Sequence, residues 1–464
     1  MWFFKEGDVI PEKKQWEMME QFVKEARKRF DHPIKKVLLL PPDVTRYFSG
    51  AGKITNMLYH ILSPHCHIDI IPTLGQHVPH TPIENHWMFG DIPDHCFSVH
   101  NWLSSCTLLG KISKDYVKYI SNDRADWEIP VEINRKVLED KYDLIVNIGQ
   151  IVPHEVLGFA NHNKNYFIGL GGKSTICASH MMAACCGIED NLGQIITPLR
   201  SCYMMAEMDY LKNVPSVYIL IVKTSNNKGK MDMTGLYIGE DIQTYITAVQ
   251  YARERIIYVF EKPLKKVICM MDEMEFKSTW VTNKAIYRTR KVVADGGELL
   301  IIAPGVERFG EQKDVDLMIR RYGYKGTRHI MDAYKSDPKL HNLGHAAAHL
   351  IHGSSEGRFR ITYATGKLTG DELTGAGFDY MDINRAIKNY RPYSLKNGLN
   401  MVNGEEIYFI SSPSLGLWTT KEKFFNSLNA NLTFANRMIA IEPDEPVWKQ
   451  LLHIDMEDIV KYKI

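Results

Sequence analysis

The sequence predicts an α/β protein: two α/β domains with mainly parallel sheets and the active site in the cleft between them. Three observations carry that reading. Apolar runs of strand length alternate with longer amphipathic stretches. The first run, Lys36 to Leu40, reads KVLLL and stops at Pro41-Pro42, as a buried strand does. The 464 residues are enough for two or three domains, each with its own core.

Taken in order, 36–40 is a strand, 54–62 has helical spacing and 68–71 is a second strand. DLIVNI at 143–148 and VYILIV at 217–222 read as further strands. A helix rich in Ala, Arg and Glu is expected over 243–259. KKVICMM at 265–271 and ELLIIA at 298–303 repeat the strand signature, with a helical stretch over 284–293 between them. Lys262-Pro263 interrupts the pattern, so the expected domains are 1–262, carrying cofactor and catalytic loops, and 263–464, closing the cleft. There is no internal repeat and no low-complexity linker.

Composition excludes several classes. Fifty-six basic side chains face 55 acidic ones, so no overall field favours nucleic acid or acidic lipid. No apolar run reaches the roughly 18 residues of a membrane span, and the apolar part of Met1-Trp2-Phe3-Phe4 is too short for a signal peptide. Eight cysteines without a C-x-x-C pair suit a reducing compartment, so a cytoplasmic location is expected.

In parallel sheets, ligands bind beyond the carboxyl ends of strands. Asp43-Val44-Thr45-Arg46 follows the first strand, Gly75-Gln76-His77 the second, and Val152-Pro153-His154 the strand at 143–148. The three loops are expected to meet in one cleft. The guanidinium of Arg46 offers a bidentate grip on a carboxylate or phosphate, while a local Asp43–Arg46 ion pair capping the next helix would account for the same residues. His77 and His154 can take and return protons near neutral pH, although either histidine read singly could be structural. Lys164 and His180 follow at intervals of ten and sixteen residues. A lysine amine can bond covalently to a cofactor and imidazole suits nickel; by its neighbours alone, Lys164 reads as a surface lysine in the polar loop Asn161-His162-Asn163-Lys164-Asn165.

Gly169-Leu170-Gly171-Gly172-Lys173-Ser174 and Gly50-Ala51-Gly52-Lys53 both fail the P-loop spacing. Phe167 stands where the first needs its leading Gly, and Tyr47 and Ile54 break the second. A phosphate cradle made by backbone N–H groups remains open for either. His345, His349 and His352 share one helix face, which reads better as an Ala-rich packed helix than as a metal stripe.

Together these loops resemble the lactate racemase family, whose members use a nickel–pincer nucleotide. Pro41-Pro42-Asp43-Val44-Thr45-Arg46 is similar to its first active-site loop, and Gly75-Gln76-His77 to its G-x-H loop. Pro153-His154, Gly158-Phe159, Lys164 and His180 are similar to its central cofactor segment with both intervals kept. The resemblance implies an isomerase that inverts C2 of a 2-hydroxy acid. Hydride would pass reversibly to the cofactor through a 2-keto acid, with His77 and His154 handling the hydroxyl proton. It implies Lys164 as the tether, Lys173 being the alternative alignment, and His180 as the nickel ligand. Asp43, Thr45, Gly171 and Gly172 would hold the nucleotide. Arg46 and Lys325 would hold the substrate, with Tyr322 standing where the family usually has glutamine. Enzymes that make the cofactor are the implied partners. Tyr322, the polar Asn161-His162-Asn163 stretch and the chain length suit a larger hydroxylated acid, best a sugar acid such as gluconate; lactate and malate are the alternatives. The rival readings are an ATP- or phosphate-binding enzyme built on the Gly171 turn, and a non-catalytic nickel or hydroxy-acid binding protein.

Overall fold

The structure is a computed structural model and describes residues 1–225, 231–442 and 446–462. It divides into two compact units, one of Met1–Ala178 with Ile195–Arg255, the other of Ser179–Gln194 with Ile256–Ile464.

The first unit is built on a six-stranded sheet. Lys36–Leu40 lies between His67–Ile70 and Leu144–Gln150, and Leu144–Gln150 pairs in turn with Ser216–Ser225, all parallel. Every residue of Leu144–Gln150 is buried, which is why its run is apolar without alternation. Met231–Gly239 and Phe3–Glu6 extend the sheet antiparallel, two strands that the apolar-run pattern does not disclose. One face is covered by helices Glu12–Arg29 and Ala51–Leu62. The first turns Met18, Met19, Phe22, Val23 and Ala26 inward at helical spacing, onto a core shared with Val37, Leu39, Ile54 and Leu58.

Because the strands are parallel, their carboxyl ends share one edge. Pairing continues past the strands themselves: Ile71 N–H donates to Leu39 O and Thr73 N–H to Pro41 O, with a bridge between Pro42 and Thr73. The loops bearing Asp43 and His77 therefore leave the sheet side by side.

The second unit has its own six-stranded sheet, in the order Asp379–Asp382, Arg360–Thr365, Val293–Ile302, Leu264–Met270, Glu405–Ile410 and Gly398–Val402. Only the last pair is antiparallel. The α/β class with mainly parallel sheets is thus present in both units.

Two details differ from the sequence reading. The helix expected over 243–259 ends at Ile256, where strand Ile257–Phe260 begins and pairs with Leu417–Thr420. That pairing joins the chain to the second unit a few residues before Lys262-Pro263. The helix expected over 284–293 stops at Thr289, and the β-branched Val293 opens the strand Val293–Ile302.

Candidate active site

Pro41 and Pro42 end the first strand, and Asp43 caps the helical turn Val44–Ser49. One carboxylate oxygen accepts the Thr45 N–H at 2.8 Å and the Thr45 hydroxyl. The other accepts Nδ1–H of His77 at 2.8 Å. The local capping expected for Asp43 is present, but its side-chain partner is His77 rather than Arg46. Both oxygens are engaged within the protein, and through them Asp43 is placed to orient His77. Burial raises the Asp43 pKa, yet the charges of His77 and Arg46 and these hydrogen bonds outweigh it and hold the carboxyl well below the usual range.

A depressed folded-state pKa means the ionised form is bound more tightly when folded. The stability it lends is complete above the unfolded-state value near 4 and is lost as pH falls below it. Urea unfolding from pH 6 to 2.5 is expected to show the stability gap between wild type and Asp43→Asn narrowing below about pH 4 without closing, because the folded carboxyl titrates below that window. A gap that stays constant would show that Asp43 is not ionised by its surroundings.

With Nδ1–H donated to Asp43, the neutral form of His77 carries its lone pair at Nε2. His154 is the opposite: its Nδ1 accepts the Val156 N–H at 3.2 Å, which puts the proton of the neutral ring on Nε2. One histidine is set to accept at Nε2 and the other to donate.

Lys164 lies just before the π-helical turn Asn165–Gly169. Burial and the Arg46 charge push its amine down to about 8, against the opposing pull of Glu155 and Asp43. The loops of Asp43–Arg46 and His154–Glu155 thus both act on this amine. The His77 loop is joined to the same segment, because Gly75 N–H donates to Gly169 O at 2.8 Å. Gly75 has φ +58, and a Cβ on Gly169 would stand 2.6 Å from Thr73 Cβ.

The segment before Lys164 is not a surface loop. Asn161, His162, Asn163 and Asn165 are all buried, and Asn161 and His162 adopt left-handed backbone. Arg200, fully buried on helix Pro198–Tyr210, reaches Asn161 O (3.0 Å), Asn163 Oδ1 (2.7 Å) and Phe159 O (2.6 Å) and lies over the Tyr245 ring. Asn163 also donates to Glu207 (3.1 Å), and His162 stacks on Tyr218. These asparagines are buried and bonded within the protein, so they lend no support to a hydroxylated substrate. Arg200 and Glu207 were invisible as site residues because nothing local in the sequence marks them.

The turn Gly171-Gly172-Lys173-Ser174 does not offer a phosphate cradle. Its four N–H groups donate, in order, to Ile168 O (3.3 Å), Glu132 O (3.1 Å), Trp102 O (3.1 Å) and the Glu132 carboxylate (3.0 Å). Glycine is needed there for packing: a Cβ would fall 2.0 Å from Phe167 O at Gly171 and 2.3 Å from Glu132 Oε2 at Gly172. The phosphate-binding rival loses its donors with this turn.

Helix Lys173–Cys186 runs through the division between the units, and His180 belongs to the second. Lys325 and Tyr322 also lie there. The Tyr322 hydroxyl donates to Asp337 (2.5 Å), so it is engaged within the protein. Lys325 follows the buried Tyr324, whose hydroxyl bonds to His349 Nε2 (2.8 Å) and Thr279 (2.9 Å). His345, His349 and His352 are all buried; His349 also bonds to Tyr287 (2.8 Å) and stacks on Trp280. Among the described residues, no three His, Cys, Asp or Glu side chains form a metal cluster, and no helix is long and apolar enough to cross a membrane.

Residues 11–190 match the model of the lactate racemase N-terminal domain. Over that stretch the chain is similar to the N-terminal domain of lactate racemase. The matched stretch contains Asp43, Arg46, His77, His154, Lys164 and His180, but not Lys325 or Tyr322. Two solved structures share the fold. A protein from Thermotoga maritima is 22% identical with a TM-score of 0.77, the match covering 90% of this chain and 100% of that one. The lactate racemase apoprotein from Thermoanaerobacterium thermosaccharolyticum is 16% identical with a TM-score of 0.60, covering 86% and 92%. No curated protein matches the chain.

Proposed function

We propose that the protein inverts the configuration at C2 of a 2-hydroxy acid, using a nickel–pincer nucleotide attached to Lys164. The observation that carries this reading is the pair of histidines with opposite tautomers, beside an amine that Arg46 and burial drive towards neutrality.

The residues present fit such a cofactor. An amine with a pKa of about 8 is roughly one-tenth neutral at pH 7, enough to act as a nucleophile in covalent attachment. The imidazole of His180 is a suitable nickel donor. When bound, the cofactor supplies a reversible hydride acceptor for C2. The chain's own residues do the rest. Arg46 holds the substrate carboxylate. His77 Nε2 takes the hydroxyl proton, and Asp43 stabilises the imidazolium that results. His154 Nε2–H donates a hydrogen bond to the same oxygen, and His77 gives its proton back as the opposite configuration forms.

The substrate is proposed as a 2-hydroxy carboxylate, with gluconate to be tested first beside lactate and malate. Enzymes that make the cofactor are the partners this chemistry requires.

The deciding experiment is intact mass with peptide mapping after co-expression with cofactor-making enzymes in nickel-supplemented medium. An adduct on the Lys164 peptide with about one nickel per chain supports the reading. An adduct on Lys173 keeps the function and moves the tether. Neither adduct nor nickel, from a strain that loads an authentic lactate racemase, would overturn it.

A further inference from the structure

We propose that His80 is a positioning residue: its imidazole latches the Asp43 turn to the loop of His77 and so fixes which nitrogen of His77 is free. Its Nε2 accepts the backbone N–H of Val44, the residue after Asp43, at 2.8 Å. A nitrogen accepting from an amide must carry a lone pair, so the ring proton lies on Nδ1. That nitrogen faces Asn85 Oδ1 at 3.0 Å. Asn85 stands on helix Pro82–Phe89, whose start is fixed by a capping box between Thr81 and Glu84. The orientation of His80 is therefore set from the helix, independently of the turn it holds.

The two loops are joined at consecutive residues of the Asp43 turn. His77 Nδ1 meets the Asp43 side chain, and His80 Nε2 meets the Val44 backbone. A single contact would leave the carboxylate free to swing with its backbone. The second contact pins that backbone, while Thr45 occupies the other carboxylate oxygen. Without the latch, Asp43 no longer holds a fixed line to His77, and the His77 proton distributes between its two nitrogens. Only one of those tautomers leaves Nε2 able to accept. The consequence for turnover rests on the function proposed above; the latch itself does not.

The test uses the full chain with 15N-labelled histidine, without cofactor or substrate, read by long-range proton–nitrogen correlation. Wild type is expected to show His77 protonated at Nδ1 with a lone pair at Nε2. In His80→Ala both nitrogen shifts should move towards averaged values, with the melting temperature within about 4 °C of wild type. His80→Gln, whose side-chain oxygen can accept from Val44, should restore the signature. In the loaded enzyme, His80→Ala should lower kcat about tenfold with KM unchanged, and His80→Gln should recover most of it. Should His80→Ala not fold, Asn85→Ala removes the outer partner of the latch and is read in the same way. An unchanged His77 signature in the latch-deficient variant overturns the proposal, whatever the turnover. An altered signature with no turnover even in wild type keeps the latch and overturns the functional reading instead.

Discussion

Replacing His77 by glutamine is expected to lower kcat for C2 inversion by about 10²–10⁴-fold, the usual worth of a positioned general acid–base. The argument rests on the Asp43 contact. His77 can take a proton at Nε2 only while Nδ1–H is held by a carboxylate 2.8 Å away. Asp43→Asn tests the same idea from the other side. An amide can donate to Nδ1, which forces the ring proton onto Nε2 and leaves no base, so its loss should approach that of removing His77. Both variants should still carry the cofactor on Lys164, because neither removes the amine, and intact mass checks this directly. If the loaded His77→Gln enzyme keeps its rate within threefold, the base lies elsewhere.

The second large effect concerns stability. Arg200→Met is expected to destabilise the first unit by about 3–5 kcal/mol, the range for removing one member of a buried charged network. Methionine fills much of the volume but donates nothing, so Phe159 O, Asn161 O and Asn163 Oδ1 each lose the arginine donor they now have. Two residues of that loop, Asn161 and His162, already sit in left-handed backbone and depend on these contacts to stay there. Urea unfolding followed by a probe in each unit should show the first transition moving and the second unchanged. A loss below about 1 kcal/mol would mean that the loop is held by packing alone.

These two expectations differ in how far the sequence disclosed them. His77, Asp43 and Arg46 were legible because parallel strands place function at their carboxyl ends, and KVLLL announces its own end with two prolines. What distance in sequence concealed was the partner: Asp43 is matched to His77 across 34 residues, not to Arg46 three residues away. The segment 161–165 was misread for the same reason. Its asparagines look like solvent-facing polarity until Arg200, on a later helix, supplies the donors that let them be buried. The antiparallel strands Phe3–Glu6 and Met231–Gly239 were missed because Lys5, Glu6 and Asp232 break up any apolar run. The histidine stripe at 345–352 is packed as expected and buried, with tyrosine hydroxyls bonded to His349.

The bond from Gly75 to Gly169 also bears on the order in which the protein comes into being. A chain emerging from the ribosome presents the His77 loop long before Gly169 exists to receive it, and the Lys164 loop before Arg200 is made. Neither loop can take its final form as it appears. The reactive groups are thus assembled late, after some two hundred residues have been synthesised, and a nascent fragment ending earlier would carry the strands without a finished centre.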